Sequence, residues 1–429
     1  VWSKLERQGI LILETLEQAG FEAYFVGGYV RDRLWGKPVK DIDIATSALP
    51  EAVTGLFART IPTGLQHGTV TVMMEGIAFE VTTFRKDSDY ADYRRPDRVE
   101  FISDLEEDLR RRDFTVNAMA MDRNGNIRDP FGGRQDMERK LLRCVGDPEE
   151  RFSEDALRML RCVRFASAYG LEVDARTWQA LLNRRELLSH VAMERVRVEL
   201  ARTLAGPDPL RGLRLAADSG LLAYTKEPLE WSFSRPEAEC LSPRMAALEK
   251  LEDPLHRWIL VMMESRLNSA NAEQLLRLLT FSGKEIERIV KAVKVHEHGL
   301  LGWPLQAAEQ FEELPESSPA ERWKLGVLQS GVQAVEDWLV VMNAVSETGQ
   351  LPPEIDGSVL SQGPDWLTEM PLTGIKELAV SGQDLIRASG KPAGPWVGQA
   401  MARLLKLAAA GRIANNREEL IQEALNGDW

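Results

Sequence analysis

The sequence predicts an α/β head followed by a remainder built of helices alone. Three observations predict this. Strand-like runs stop before about residue 135, the apolar spacing beyond it is helical almost throughout, and 429 residues are too many for one core. At about 100–200 residues per domain the chain has room for two to four domains.

The elements follow in order. Residues 3–19 read as an amphipathic helix closed by Gly20. Residues 21–26 read as a strand that ends at Gly27-Gly28, and a helix runs from about Tyr29 to Trp35. A second strand covers 41–45. From Thr69 to Phe84 the alternation predicts a hairpin turning at Glu75-Gly76. Residues 87–99 are polar, carry Pro96 and read as a mobile loop. A helix or strand covers 113–121, and Asn124-Gly125 marks a turn. Helices then cover 153–169, 175–183, 193–204 and 209–217, with more to about 300. Breaks fall near 205–209, 302–304, 350–357 and 361–365. The Gly/Pro-rich segment from Ser389 to Pro395 introduces a last long helix from about Trp396. No 20–50-residue repeat is evident.

Composition narrows the class. The chain is 44% hydrophobic and 28% charged, and no apolar run nears the ~20 residues of a membrane span. Its first residues, Val1 to Arg7, lack the basic-then-apolar order of a signal peptide. Cys144, Cys162 and Cys240 have no paired spacing, which predicts reduced thiols in a cytoplasm. Without a Cys-x-x-Cys, zinc is not expected, and His296 and His298 read as a solvated helix end. The net charge is −13, which as a sum argues against nucleic acid, because neutralising phosphates needs Lys and Arg. The local field matters more than the sum. Arginines cluster at Arg94, Arg95 and Arg98, at Arg110, Arg111 and Arg112, and at Arg158, Arg161 and Arg164.

Three constellations carry chemistry. The first is Asp41-Ile42-Asp43. On a strand both carboxylates leave one face while Ile42 and Ile44 face the core. Two such carboxylates repel unless a cation lies between them, and hard divalent magnesium prefers oxygen ligands. Two metals about 3.5–4 Å apart can align an attacking hydroxyl with a leaving pyrophosphate. Alone, Asp-x-Asp also fits a solvated strand end. Upstream, however, stands Gly27-Gly28-Tyr29-Val30-Arg31-Asp32: two glycines between strand and helix let backbone approach a phosphate, and Arg31 can reach the same anion. The second constellation, Arg111-Arg112-Asp113-Phe114-Thr115-Val116-Asn117-Ala118, places consecutive arginines where they can face a triphosphate, or else form a solvated basic helix end. In the third, Asp155, Arg158, Arg161 and Arg164 recur every third residue, so neighbours in the row are adjacent on a helix. Ser153 as N-cap and the helix dipole account for Glu154 and Asp155. They do not account for three arginines in one row.

Gly-Gly-x-Val-Arg-Asp, Asp-x-Asp, Arg-Arg-Asp-Phe-Thr-x-Asn-Ala, Asp129-Pro130-Phe131-Gly132-Gly133 and Glu-Asp-x-x-Arg stand here in one order over about residues 20–165. Together they resemble the class II CCA-adding enzymes (tRNA nucleotidyltransferases) and their bacterial poly(A) polymerase relatives, within the DNA polymerase beta-like nucleotidyltransferase superfamily. The resemblance continues to about 205. The segment Ser381-Gly382-x-Asp384-Leu385 with Gly390-Lys391-Pro392-x-Gly394-Pro395 resembles the tail of Gram-positive members.

The resemblance implies an elongated multi-domain protein: a catalytic head over 1–138, a helical neck reading the base over 139–205, a helical body over 206–315 and a tRNA-binding tail over 316–429. It implies Asp41 and Asp43 as catalytic magnesium ligands, and Gly28, Arg31 and Arg112 as nucleotide contacts. Asp155 and Arg158 would act as a protein template, with Arg161 and Arg164 on phosphates. Arg158 only donates and ionised Asp155 only accepts, so cytosine and adenine edges fit while uracil and guanine are rejected. Implied partners are the tRNA 3′ end, CTP and ATP, with no membrane, in a cytoplasmic monomer or weak dimer. The loop at 87–99, with Tyr93, Arg94 and Arg95, disfavours an enzyme that adds C alone. Glu80 is either a third carboxylate or a cross-strand surface residue. The same motifs fit an A-adding enzyme or a poly(A) polymerase. An inert RNA-binding descendant and a small-molecule nucleotidyltransferase are the alternatives of another kind.

Overall fold

A computed structural model describes residues 2–39, 41–88, 98–229, 231, 241–300 and 318–427, with backbone alone at 87, 88, 98, 99 and 298–300. The chain forms two compact units, one of Val1–Glu230 and one of Glu239–Trp429 together with Trp231. Strands of the first unit make a mixed sheet. Among the described residues the second unit is helical.

The first helix, α1 (Lys4–Gln18), starts on a capping box in which the Ser3 hydroxyl accepts from the Glu6 amide and Glu6 returns the contact. Its buried stripe is Ile12, Leu13 and Leu16. Gly9 lets it lie on the sheet, since a Cβ there would stand 2.8 Å from the Phe25 ring. The sheet strands are β1 (Ala23–Val26), β2 (Asp43–Thr46), β3 (Thr60–Gly64), β4 (Thr69–Met74) and β5 (Ile77–Thr83). A smaller antiparallel pair, β6 (Arg85–Ser88) and β7 (Arg98–Phe101), lies beside it. The short β8 (Ala120–Met121) and β9 (Ile127–Arg128) complete the sheet in the order β3-β4-β5-β2-β1-β8-β9. Antiparallel pairing sets Phe25 opposite Ile44 and Val26 opposite Asp43. The parallel step from β2 to β5 sets Asp43 beside Glu80.

Helices then cover the sheet and extend the unit: α2 (Gly28–Leu34), α3 (Pro50–Leu56), α4 (Leu105–Arg110), α5 (Gly133–Glu138), α6 (Pro148–Glu154), α7 (Leu157–Tyr169), α8 (Ala175–Arg184), α9 (Met193–Leu204) and α10 (Pro209–Ser219). Val26, Ala45, Phe84, Leu109, Ala118, Ala120 and Val145 form a cluster on one sheet face. In the second unit Trp323 and Trp338 are fully buried with ring centroids 6.2 Å apart.

Several expectations are corrected. The expected strand at 41–45 begins only at Asp43, although burial alternates from Asp41 to Ile44 as a strand requires. The expected helix at 153–169 is two helices. Asp155 is extended (φ −140°, ψ 101°) between α6 and α7. Ser153 is not an N-cap: its hydroxyl donates to the Glu149 carbonyl, while Asp147 caps α6. The segment 113–121 is a 3-10 turn (Thr115–Asn117) followed by β8.

The break expected at 361–365 lies inside the helix Gly357–Thr368, which carries Pro364. Packing overrides the proline there: the Trp323 indole donates to the Gly363 carbonyl at 3.1 Å, and a Cβ on Gly363 would meet that ring at 2.9 Å. His296 is no solvated end. It is 5% exposed against Trp338, and burial lowers its pKa to about 4. Tyr93, Arg94, Arg95 and the break at 302–304 lie outside the described residues.

Candidate active site

The first unit holds a cavity of about 470 Å³, walled by the end of β1, the start of α2, Asp43, the 111–117 segment, α7 and Arg195 of α9. Gly27 forms its entrance from β1 into α2. Its φ of 66° favours glycine. A Cβ there would also stand 3.2 Å from Arg112 Nη1 and 3.6 Å from Asp43 Oδ2. The chain thus passes between an arginine and a carboxylate with no room for a side chain. Gly28 lines the cavity next to it.

On α2, buried Arg31 is held from three directions. Its Nε donates to Asp32 at 2.9 Å and its Nη1 to Asn117 Oδ1 at 2.5 Å. Its guanidinium lies 4.3 Å over Tyr169 and 5.1 Å over Phe165. Tyr169 in turn donates to Asp32 at 2.8 Å.

Solvent reaches the Asp43 side chain, yet surrounding atoms crowd it. Desolvation raises its pKa first, then the Glu80 carboxylate, with a smaller contribution from Asp41; only Arg112 opposes. Asp41 is exposed, acts on Asp43 as a neighbouring like charge, and does not line the cavity. Glu80 emerges beside Asp43 through the parallel register, which a sequence of separate strands does not reveal. Among the described residues no three His, Cys, Asp or Glu side chains already converge as a metal cage.

The arginines that line the cavity from the 111–112 pair and from α7 each meet a carboxylate. Arg111 and Arg112 share buried Asp108, at 3.0 and 3.2 Å. Burial there pushes the acid's pKa up, but the pull of Arg112 and then Arg111 wins and the net shift is downward. Arg158 donates to Glu154 at 2.6 Å and to the carbonyls of Arg151 and Arg111, both at 3.0 Å. Arg161 grips Asp113 through Nε and Nη2 at 2.8 and 2.6 Å. The other Asp113 oxygen accepts from Asn117 and from the Phe114 amide. Burial opposes ionisation of Asp113, yet Arg161 and Asn117 hold it well below the usual carboxylate range. Arg164 donates to Glu199 at 2.6 Å. Asp155 accepts from the Leu157 amide at 3.1 Å and from Arg195 at 3.0 Å.

The cavity therefore collects Gly28, Arg31, Asp43, Arg112, Asp155, Arg158, Arg161 and Arg164 of the sequence-derived set and leaves Asp41 at its margin. Sequence reasoning left Glu80 open between a third carboxylate and a surface residue, and did not assign Asp113, Asn117, Arg195 or Glu199. Asp113 and Asn117 stood within a quoted motif. Arg195 and Glu199 carried only an i, i+4 spacing, common on any solvated helix.

The sequence and the fold agree with known proteins. Residues 23–143 match the poly A polymerase head domain, 170–229 the probable RNA and SrmB-binding site of polymerase A, and 249–424 the putative tRNA nucleotidyltransferase domain 2. The CCA-adding enzyme of Geobacillus stearothermophilus is 39% identical over 419 residues, 96% of this chain and 95% of that one. The CCA-adding enzyme of Ligilactobacillus salivarius is 37% identical, covering 97% and 96%. The crystal structure of the Bacillus stearothermophilus CCA-adding enzyme in complex with CTP superposes with a TM-score of 0.78 at 35% identity, over 99% of this chain and 98% of that one. The fold alone is shared with the Thermotoga maritima CCA-adding enzyme complexed with tRNA, at a TM-score of 0.67 and 19% identity, over 99% and 96%. With relatives this similar along nearly its whole length, the chain belongs to the CCA-adding enzyme family of tRNA nucleotidyltransferases.

Proposed function

We propose that this chain adds C, C and A to the 3′ end of tRNA without a nucleic-acid template, taking CTP twice and ATP once and releasing pyrophosphate each time. The observation that carries the reading is one cavity lined at once by Asp43, by Asp155 and by the arginine row Arg158, Arg161 and Arg164. The descriptions of its relatives supply CCA addition, CTP and tRNA, and ATP follows from the added A.

Asp41 and Asp43 would hold magnesium. The donor chemistry fits: oxygen ligands suit a hard divalent ion, and the like charges of Glu80 and Asp41 that push up the Asp43 pKa would be relieved by one. When bound, the ion stabilises charge on the attacking hydroxyl and the departing pyrophosphate. Gly28, Arg31 and Arg112 would meet the triphosphate, Gly28 through close backbone approach and the arginines through charge. Arg158 would donate to, and Asp155 accept from, the Watson–Crick edge of C or A, while U and G leave these groups unpaired. Arg161 and Arg164 would hold phosphates. Arg195 anchors Asp155 and Glu154 anchors Arg158, so the edge to be read is set before nucleotide arrives.

We assign the head to 1–138, the base-reading neck to 139–205, the body to 206–315 and the tRNA-binding tail to 316–429, acting in the cytoplasm as a monomer or weak dimer. No helix among the described residues is long and apolar enough to cross a membrane. The match to a poly A polymerase head supports a second reading, an A-adding enzyme or poly(A) polymerase.

Labelled-nucleotide incorporation with magnesium separates the readings. The acceptors are tRNA lacking CCA, tRNA ending in CC, and oligo(A), each with CTP, ATP or both. Two C and one A on tRNA alone are expected. A single A only on the CC-ended tRNA, or long A tracts on oligo(A), would replace this reading with the second.

A further inference from the structure

Glu199 of α9 stands outside the residues given a role in transfer above. It is 3% exposed, and a buried carboxylate is costly unless its charge is met. Three guanidiniums meet it. Arg164 Nε donates to Oε2 at 2.6 Å, and Arg161 and Arg202 approach Oε1 at 3.9 and 3.6 Å. Arg202 is largely exposed, so its contribution is screened. The two that matter are the cavity-lining pair, Arg161 and Arg164.

These two lie three residues apart on α7, where like charges repel. Both guanidiniums also lie against one ring, Phe165, at 5.3 and 4.1 Å. Asp113 holds Arg161 from the other side. Along the wall the order is therefore acid, base, acid, base: Asp113, Arg161, Glu199, Arg164. Removing Glu199 leaves Arg164 without its carboxylate beside Arg161, which keeps Asp113, and Arg164 loses the contact that ties its Nε.

We propose that Glu199 is a positioning residue for nucleotide binding: it aims Arg161 and Arg164 into the cavity for the phosphates of any incoming nucleoside triphosphate. The proposal rests on the reading of those two arginines as phosphate-binding. It assigns Glu199 to binding strength and not to base choice, which the proposed function gives to Asp155 and Arg158.

The test is steady-state incorporation by the full chain with CTP and with ATP, comparing Glu199→Gln, Arg164→Ala and the double variant. Glu199→Gln keeps the shape and removes the charge. It should raise KM for both nucleotides about tenfold, leave kcat within about twofold, and leave UTP rejection intact. The double variant should be worse than Arg164→Ala alone but by less than the product of the two single effects, because part of what Glu199 does runs through Arg164 and part through Arg161. An Arg164→Ala variant with unchanged KM would mean that the phosphate reading itself is wrong, and the proposal with it. If Arg164→Ala raises KM while a folded Glu199→Gln does not, Glu199 is structural only and the proposal is overturned. A thermal melt establishes folding. Should Glu199→Gln not fold, Glu199→Asp, charged but one methylene shorter, decides: a raised KM for both nucleotides supports the proposal, and an unchanged one overturns it.

Discussion

The carboxylate edge of the sheet and the arginine row of α7 lie in one unit and meet charge in opposite ways. At the edge, Asp43 has Glu80 and Asp41 for neighbours, like beside like, and its pKa is raised. In the row, Arg158, Arg161 and Arg164 each face a carboxylate, and Asp113 is held ionised. One region is assembled in a state that a cation relieves. The other is charge-compensated as folded. The proposed metal binding and base reading would use one device each: electrostatic frustration where the ion would sit, compensation where geometry must not move.

The largest expected effect breaks the edge. Asp41→Ala or Asp43→Ala should lower incorporation by about a thousandfold or more while tRNA binding, measured by gel shift, survives. Near-normal turnover would end the metal-ligand reading. Next comes the row. Asp113→Asn removes the acid from a buried ion pair and should cost about 3 kcal/mol of stability in urea unfolding. A loss of a few tenths would mean that the row is not stiffened by its pairs. Arg158→Ala should admit UTP, lowering discrimination by about a hundredfold in competition assays; unchanged rejection would sink the protein-template idea.

The smallest effect contrasts the two regions through pH. Asp113 has a folded pKa below its unfolded value. Its stabilisation is full above the ordinary carboxylate pKa of about 4 and is lost as pH falls through the folded value. Asp43 has the reverse sign. Its ionised form is disfavoured by folding, so its cost is absent below about pH 4 and grows as pH rises through its raised value. Asp43→Asn should therefore melt slightly higher than the parent at pH 7 without divalent cation, and the gain should vanish on acidification. Magnesium should raise the melting temperature of the parent and not of the variant. A variant that melts lower at pH 7 would remove the claim of like-charge strain.

Part of this was legible in the one-dimensional pattern. Alternation exposed Asp41 and Asp43 and buried Ile42 and Ile44. The glycines before α2, the hairpin over β4 and β5, and the spacing of the arginines were equally readable, because each depends on local dihedrals and short-range periodicity. The break at Asp155 was not. Ser153 and the following apolar spacing suit a continuous helix; the extended Asp155 instead lets its carboxylate meet the Leu157 amide and, 40 residues on, Arg195. His296 read as solvated because it stands in a His-x-His near the end of a helix, whereas its partner in space is Trp338.

The sequence by itself determined the fold class, the family and the residue types that could carry transfer. Strand alternation, helical spacing and motif order are properties of the chain read in one direction. Only the tertiary structure decided which charge meets which. Glu80 reaches Asp43 through the pairing of strands β2 and β5, Asp113 reaches Arg161 across 48 residues, and Glu199 reaches Arg164 across 35. Such pairings are chosen by packing, where Coulomb energy and desolvation act over a few ångströms and not along the chain.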